Sequence, residues 1–291
     1  MNISPVNHYR RMLCSGLLTS LLAACSPVSM LNAVIPTRQM RITQAVPFGP
    51  LPRQTLDIYT PLPVLSGAMP VVIFLYGGSW DSGRKEDYLF VAEALSSQGY
   101  LVVIPDYRVY PEVKFPSLME DPAAAFAWVK ANIAHYNGDP ETIFLMGHSA
   151  GAHLAAMLAL NPIYLQSHGL DRHAMRGMVG LAGPYDFLPL KSARLKEIFA
   201  PAEAEWRSQP IRFVDGHQPP MLLMVGMQDL VVWPRNSLRL ASAIEQKGGE
   251  VTLKQYPAAG HVDMVSRLAR PLRGASPLLA DLVTWMQQHV H

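Results

Sequence analysis

The chain has 291 residues, of which 49% are hydrophobic, so it can bury a sizeable core in one large domain or two small ones. Its 24 basic and 22 acidic residues nearly cancel, and no basic stripe with interleaved aromatic residues occurs, so we expect no nucleic acid partner. The two cysteines, Cys14 and Cys25, lie close to the N-terminus, which excludes a disulfide framework, a thiolate metal site and a cysteine nucleophile from the rest of the chain.

Residues 1–24 are typical of a secretory signal. Arg10 and Arg11 precede the apolar run Met12–Ala24, which is too short to span a membrane. The ending Leu22-Ala23-Ala24-Cys25 resembles the lipobox of bacterial lipoproteins, in which the cysteine is lipidated and becomes the new N-terminus. That resemblance implies an exported lipoprotein held by Cys25 to the periplasmic face of a membrane or to the outer membrane, with residues 25–40 as the lipidated cysteine and its tether. An ordinary signal peptide that contains a cysteine is the alternative.

Predicted strands alternate with predicted helices over residues 41–291. The strands are Arg41–Val46, Gln54–Tyr59, Val71–Leu75, Leu101–Pro105, Ile143–Met146, Gly177–Ala182, Met221–Val225 and Val251–Tyr256. The helices are Asp87–Gln98, Ser117–His135, Ala152–Leu160, Pro234–Gln246 and Ser276–Val290. The first two strands alternate apolar and polar residues as edge strands do. The alternation of elements predicts one α/β domain with a doubly wound, mostly parallel sheet, and the irregular stretch 185–216 reads as a small cap insertion.

The segment Gly147-His148-Ser149-Ala150-Gly151 has the form G-x-S-x-G between a predicted strand and a predicted helix. The turn at Ser149 must be sharp, so the positions two before and two after it have no room for a Cβ atom. A serine at such a turn projects from the sheet at a helix N-terminus, where the backbone favours an anion. Ser149 is therefore the candidate nucleophile.

A serine nucleophile needs a base and a group that orients the base. In an open α/β sheet such residues follow the C-terminal ends of strands, and Asp229 and His261 do so after Met221–Val225 and Val251–Tyr256. The order Ser149, Asp229, His261 is the one found in hydrolases with the G-x-S-x-G elbow. Asp263 is the rival acid, but it follows the histidine too closely to reach behind its ring.

Acyl transfer also needs donors for the oxyanion. The N–H group of Ala150 is one candidate, because this residue follows the nucleophile. Gly77 and Gly78 follow the strand Val71–Leu75 and let the backbone approach a substrate closely. Of the remaining histidines, His148 is a candidate to line the substrate cleft, and His153 is expected to pack or cap.

Two composite motifs carry a family resemblance. Tyr76–Trp80 (YGGSW) is similar to H-G-G-x-W, and Asp106–Glu112 (DYRVYPE), followed by Phe115-Pro116 and Asp121, is similar to D-Y-R-L-x-P-E with its downstream F-P and aspartate. The chain therefore resembles the α/β-hydrolase esterases of the hormone-sensitive-lipase-like and feruloyl-esterase-like branches, to which kynurenine formamidases are related. The resemblance implies an α/β-hydrolase fold and the following site: the triad Ser149, Asp229 and His261, and the oxyanion hole Gly77, Gly78 and Ala150. It assigns structural roles to Asp106, Arg108 and Asp121.

Tyr76 departs from the family motif, which has histidine at that position, and we expect an active site with an altered oxyanion loop. The implied function is a serine carboxylesterase acting on small esters, short-chain or aryl, without metal or organic cofactor. An amidase of the kynurenine formamidase type and a non-catalytic lipoprotein are the alternatives. Aromatic residues of the insertion either form an apolar pocket or simply pack the insertion onto the body; these are Tyr185, Phe187, Phe199, Trp206 and Phe213. Oligomeric state stays open.

Overall fold

A computed structural model of the chain describes residues 31–32, 35–64 and 67–290. Within these ranges the strands are β1 (Met40–Pro47), β2 (Thr55–Pro61), β3 (Met69–Leu75), β4 (Leu101–Pro105), β5 (Gly138–His148), β6 (Gly177–Leu181), β7 (Met221–Gly226) and β8 (Val251–Tyr256). They form a single sheet in the order β1-β2-β4-β3-β5-β6-β7-β8. The pairs β1–β2 and β2–β4 are antiparallel and the others parallel, which confirms the predicted mostly parallel α/β sheet.

The helices of the described residues are α1 (Leu89–Ser96), α2 (Glu120–Asn132), α3 (Ala150–Leu160), α4 (Ile163–Gln166), α5 (Ala193–Ile198), α6 (Arg235–Gln246), α7 (Asp263–Ser266) and α8 (Leu278–Gln288). Within the part of the chain that the structure describes, no helix combines the length and apolarity needed to cross a membrane. Every residue of α3 is buried, and its alanines let it lie close against the sheet.

The winding of the sheet places a crevice beside β5. From β3 the chain moves to β4 on one side, then crosses to β5 on the other side and continues outward through β6, β7 and β8. The order of the strands thus reverses between β3 and β5. Ligands of open α/β sheets bind outside the carboxyl ends of the strands at such a reversal. The loop after β3 and the turn after β5 both lie there.

β2 is not the edge strand that its alternating pattern predicted, because it lies between β1 and β4. Its polar residue Asp57 is only 1% exposed. Its carboxylate accepts the N–H of Ala45 at 2.8 Å and lies 3.2 Å from Nζ of Lys85, whose side chain is also buried. Asp57 therefore belongs to a buried ion pair and does not face water. The alternation reflected polar partners inside the protein.

Two predicted helices are shorter than expected, and the insertion has little regular structure. Asp87–Gln98 becomes a 3₁₀ turn, Lys85–Tyr88, followed by α1, and Ser117–His135 becomes α2 between two 3₁₀ segments. Residues 185–216 lie between β6 and β7 and contain α5 and the 3₁₀ segments Ala202–Ser208 and Pro210–Phe213. The predicted signal 1–24 and Cys25 lie outside the described residues, as do parts of the tether.

Candidate active site

Ser149 lies in a backbone conformation that non-glycine residues rarely adopt, with φ 54° and ψ −122°. The flanking glycines make this turn possible. A Cβ atom at Gly147 would lie 2.4 Å from the carbonyl carbon of Gly151, and one at Gly151 would lie 2.1 Å from the carbonyl oxygen of Leu75. The N–H of Ser149 donates to the carbonyl of Leu181 at the end of β6, at 2.9 Å. The turn is thus fixed on both sides by neighbouring strands.

The three predicted triad side chains form one chain of hydrogen bonds. Nε2 of His261 lies 2.9 Å from Oγ of Ser149, and Nδ1 of His261 lies 2.7 Å from Oδ2 of Asp229. The carboxylate of Asp229 is inaccessible to solvent and the histidine side chain is 10% exposed. With Nδ1–H donating to the carboxylate, Nε2 is left as the acceptor for the serine hydroxyl.

The loops after β7 and β8 are joined by backbone hydrogen bonds that bring acid and base together. Gln228 N–H donates to the carbonyl of Ala259 at 3.0 Å, and a Cβ at Gly226 would lie 2.3 Å from that same oxygen. The rival acid Asp263 is engaged elsewhere: its Oδ2 accepts the N–H of Gly260 at 2.7 Å. Asp229, and not Asp263, is therefore the partner of the His261 ring.

The second oxygen of Asp229 fixes the loop that follows it. Oδ1 accepts the N–H groups of Val231 and Val232, each at 2.8 Å. This arrangement holds the backbone against the carboxylate, so the intervening side chains project outward. Leu230 is 87% exposed and Val231 72%. Asp229, the candidate acid, thus supports an apolar rim beside Ser149.

The loop after β3 approaches the serine turn at Gly77, and Gly78 lies against Ser82 of the same loop. A Cβ at Gly77 would lie 3.2 Å from Cβ of Ser149, and one at Gly78 would lie 2.2 Å from the carbonyl oxygen of Ser82. Ala150 is the first residue of α3, so its N–H has no acceptor within the helix. Ser79, which we did not single out from the sequence, has φ 51° and lines the cleft next to Ser149. The motif YGGSW, in which Ser79 directly follows the two glycines, could have identified it as a cleft residue.

Tyr76 lies beneath this loop and not in the cleft. Its ring is fully buried and stacks on Tyr107 at a centroid distance of 4.4 Å and on Tyr88 at 5.7 Å. Its hydroxyl donates to Oδ1 of Asp106 at 2.7 Å, and the hydroxyl of Tyr107 donates to the Tyr76 carbonyl. Burial, and then the nearby Asp106 carboxylate, raise the pKa of Tyr76, so it remains a neutral donor.

The ion pair between Arg108 and Asp121 holds the segment that follows β4. The guanidinium donates to both carboxylate oxygens, at 2.7 and 2.9 Å, and Gln54 donates to the same carboxylate at 2.8 Å. Burial raises the pKa of Asp121, but the hydrogen bonds from Arg108 and Gln54 outweigh it and leave that pKa below its ordinary value. These contacts agree with the structural roles expected for Arg108 and Asp121.

His148 packs against the triad histidine instead of lining the cleft. Its side chain is buried, its Nε2 lies 3.2 Å from the backbone oxygen of His261, and the two rings are 4.9 Å apart. Burial, and after it the neighbouring His261, lower the pKa of His148 to about 3. The ring is therefore neutral and donates from Nε2 to the His261 carbonyl.

His153 on α3 links the oxyanion loop to the insertion. Its Nδ1 accepts the indole N–H of Trp80 at 3.1 Å, and its Nε2 donates to the carbonyl of Ser208 at 2.7 Å. Burial lowers its pKa to about 4, which keeps the ring neutral as this bridge requires. The packing role expected for His153 thus includes two hydrogen bonds.

A cavity of about 310 Å³ opens beside Ser149, at the small end of the range for ligand pockets. Trp80 and Phe187 line one side, and Val231, Val232 and Trp233 line another. The other aromatic residues of the insertion do not line it. Tyr185 and Phe199 are buried in the core, Phe213 packs against the core, and Trp206 is 47% exposed. Of these five residues, Phe187 lines the pocket. The other four do not, so the insertion's aromatic residues serve partly to form the pocket and partly to pack the insertion onto the body.

Within the described residues, no group of three His, Cys, Asp or Glu side chains is arranged to hold a metal ion.

The sequence profile of the BD-FAE family matches residues 56–244, which is well over half of the chain. A probable isoprenylcysteine alpha-carbonyl methylesterase of Oryza sativa is 31% identical over 84% of this chain and 62% of its own length. A kynurenine formamidase of Salmo salar is 29% identical over 77% of this chain and 76% of its own length. The chain spans less than two thirds of the rice protein.

Among solved structures, an inhibited esterase B from Lactobacillus rhamnosis superposes with a TM-score of 0.77 at 21% identity. The superposition covers 95% of this chain and 97% of that one. At this level of identity the likeness establishes the fold, which is that of the α/β hydrolases.

Proposed function

The chain belongs to the BD-FAE family, and we propose that it is a serine carboxylesterase that hydrolyses short-chain or aryl esters. The observation that supports this most directly is the hydrogen-bonded series Ser149–His261–Asp229, with distances of 2.9 and 2.7 Å. Two relatives are named as a probable methylesterase and a formamidase, which also supports a hydrolase.

In this mechanism Nε2 of His261 takes the hydroxyl proton of Ser149 as the serine oxygen attacks the ester carbonyl. Asp229 holds the imidazole in the tautomer that carries its proton on Nδ1, and stabilises the imidazolium that forms. His261 then gives its proton to the leaving alcohol. A water molecule, activated by the same histidine, clears the acyl-enzyme.

The negative charge of the tetrahedral intermediate falls on the former carbonyl oxygen, which needs backbone donors. We assign these to Ala150 and to the loop that carries Gly77 and Gly78, with the neighbouring N–H of Ser79 added because Ser79 lines the cleft. The Tyr76 side chain supports this loop from beneath and takes no part in proton transfer.

Substrate size follows from the cleft. A cavity of about 310 Å³ with aromatic and valine walls suits a short acyl chain or one aromatic ring. The same residues also serve for amide hydrolysis, and the similarity to the salmon formamidase makes a formamidase-type amidase the second candidate.

We further propose that the protein is an exported lipoprotein attached to a membrane through lipid on Cys25. The support is the sequence Leu22-Ala23-Ala24-Cys25 after a basic and apolar leader.

The experiment is a substrate panel with the form that starts at Ser26: 4-nitrophenyl esters from acetate to palmitate, methyl ferulate and N-formylkynurenine. We expect turnover of the short esters, and a loss of more than about 10⁴-fold in kcat for Ser149→Ala. Asp229→Asn should fold normally and lose about 10⁴-fold, because the ring of His261 then carries its proton on the wrong nitrogen.

Ser242→Ala, on the exposed face of α6, is the matched control and should retain full activity and labelling by a fluorophosphonate probe. Turnover of N-formylkynurenine alone would move the assignment to an amidase. Probe labelling that persists in Ser149→Ala would show that another serine is the nucleophile.

A further inference from the structure

The mouth of the cleft carries positive charge without a matching negative charge. Among the residues that line the cavity, the ones with charged side chains are Lys191 and Arg235, and both are cationic. Both side chains are exposed at the rim and not buried in the core. Lys191 comes from the insertion and Arg235 from the first turn of α6, so two separate elements bring the same charge to one opening.

Neither cation is neutralised by a carboxylate of the described residues. The ion pairs within 4.0 Å in that part of the chain involve other cations: Asp81, next to Trp80, pairs with Arg194 at 3.3 Å, and Asp186, next to Phe187, pairs with Arg239 at 2.8 Å. The two carboxylates adjacent in sequence to the aromatic walls are thus already engaged. The guanidinium of Arg235 instead lies over the Trp233 ring, 4.4 Å from its centroid.

This contact gives Arg235 a defined place. Arginine stacks on aromatic faces while its N–H groups remain free to bind an oxyanion in the plane of the guanidinium. Trp233 also lines the cavity, so the stacked guanidinium stays at the opening. Deeper in, the walls are Trp80, Phe187 and Val232, which are apolar.

We propose that the preferred substrates are esters with an apolar chain or ring that ends in an anionic group, a carboxylate or a phosphate, bound by Arg235 and Lys191. The apolar part fills the cleft next to Ser149 and the anion lies at the rim. This proposal rests on the proposed esterase function and adds the substrate class.

The expected size of the effect follows from the exposure of the rim. Ion pairs at exposed positions contribute about twofold to fivefold in binding each. The contact forms equally in the bound substrate and in the transition state, so its loss raises KM and leaves kcat unchanged. Salt screens such pairs, so KM for an anionic ester should rise with ionic strength.

The test compares esters that differ only in a methyl group or a carboxylate. On the acyl side these are 4-nitrophenyl hexanoate and mono-4-nitrophenyl adipate, and on the alcohol side 3-methylphenyl and 3-carboxyphenyl hexanoate. Arg235→Gln, Lys191→Gln and the double variant are measured beside the unmodified protein. Lys196→Gln is the control, because it removes the same charge from an exposed position of α5 that does not line the cavity.

We expect at least one of the anionic esters to lose about twofold to fivefold in kcat/KM in each single variant and about tenfold in the double variant, through KM. The neutral esters and Lys196→Gln should be unchanged. An unchanged ratio of anionic to neutral turnover in both series would overturn the proposal. So would an equal loss in Lys196→Gln, because the effect would then be one of net charge.

A binding measurement separates this proposal from the catalytic one. The four esters are titrated by calorimetry into Ser149→Ala, with and without Arg235→Gln. Tighter binding of an anionic ester that depends on Arg235 would support the substrate class even if no serine-dependent turnover occurred. Equal binding of the charged and neutral esters would contradict the proposed substrate class. It would not affect the esterase proposal, which the substrate panel tests.

Discussion

At the scale of single residues, the strained turn at Ser149 is held by contacts that leave no freedom at the flanking positions. Gly151 lies so close to β3 that a Cβ atom would be 2.1 Å from the carbonyl oxygen of Leu75, a backbone atom that cannot rotate away. The hydrogen bond from Ser149 N–H to Leu181 fixes the other side. The position of Ser149, the proposed nucleophile, is therefore set by the sheet itself.

Gly151→Ala should abolish esterase activity and lower the free energy of unfolding by about 3 kcal/mol, because the new methyl group forces β3 and α3 apart. Gly274→Ala is the control, since nothing lies within 4 Å of its added Cβ, and it should stay within about 0.5 kcal/mol. Urea unfolding and 4-nitrophenyl ester turnover measure both. A fully active and stable Gly151→Ala protein would contradict the close contact.

The sequence pointed to Ser149, Asp229 and His261 because strand ends and motif order restrict the candidates, and these three side chains form one hydrogen-bonded series in the structure. It did not reveal the surroundings of Tyr76 or the contact between His148 and His261. Those depend on which side chains meet across distant strands: the His148 ring reaches a residue more than a hundred positions away. No local pattern carries that information, so His148 looked like a cleft residue.

At the scale of elements, one histidine joins three parts of the molecule. His153 belongs to α3, accepts from Trp80 in the loop after β3, and donates to Ser208 in the insertion. The bond from Trp80 requires a neutral ring, because only an unprotonated Nδ1 can accept a hydrogen bond. Protonation would place a donor opposite the indole N–H of Trp80 and would bury a charge.

This bridge makes stability depend on pH. The pKa of His153 is lowered to about 4 by burial, while the unfolded chain has the ordinary value near 6.5. Between these values the unfolded state binds a proton that the folded state does not, so stability is complete above about pH 6.5 and falls as the pH decreases toward 4. The loss is on the order of 3 kcal/mol.

His153→Gln removes this titration, so its free energy of unfolding should fall less between pH 7.5 and pH 4.5 than that of the unmodified protein. Urea midpoints at the two pH values give the comparison. His148 titrates in both proteins and cancels. If both proteins lost the same stability, His153 would have to be protonated in the folded state, contrary to its buried bridge.

The prediction of strands and helices was also limited, because local patterns do not show contacts with residues far away in the chain. The continuous apolar runs of β3 and β4 and the helix after Ser149 were recognisable because their burial is complete. β2 looked like an edge strand because Asp57 interrupts it, and only the folded protein brings Lys85 to that carboxylate. Short 3₁₀ segments also replaced the ends of two predicted helices, where periodicity is too brief to distinguish the two kinds of turn.

At the scale of the whole molecule, the proposed lipid anchor lies outside the described residues and is tested in the cell. With the chain Met1–His291 expressed in a Gram-negative host, we expect an alkyne analogue of palmitate to label the protein. Cys25→Ala should lose the label completely. Cys14→Ala should keep it, because the mature protein no longer contains that residue. Label retained in Cys25→Ala, or absent from the unmodified chain, would refute the anchor.

The separation between the strand ends and residues 185–216 has a consequence for evolution. The proposed catalytic residues follow β5, β7 and β8, whereas Phe187, Lys191 and Leu195 reach the cleft from a segment with few regular elements. Related proteins can therefore come to prefer different substrates through changes in this segment alone, while the proposed reaction stays the same. An exchanged segment would have to keep the contacts that join residues 185–216 to the rest of the protein, among them the backbone oxygen of Ser208 that accepts from His153 and the buried rings of Tyr185 and Phe199.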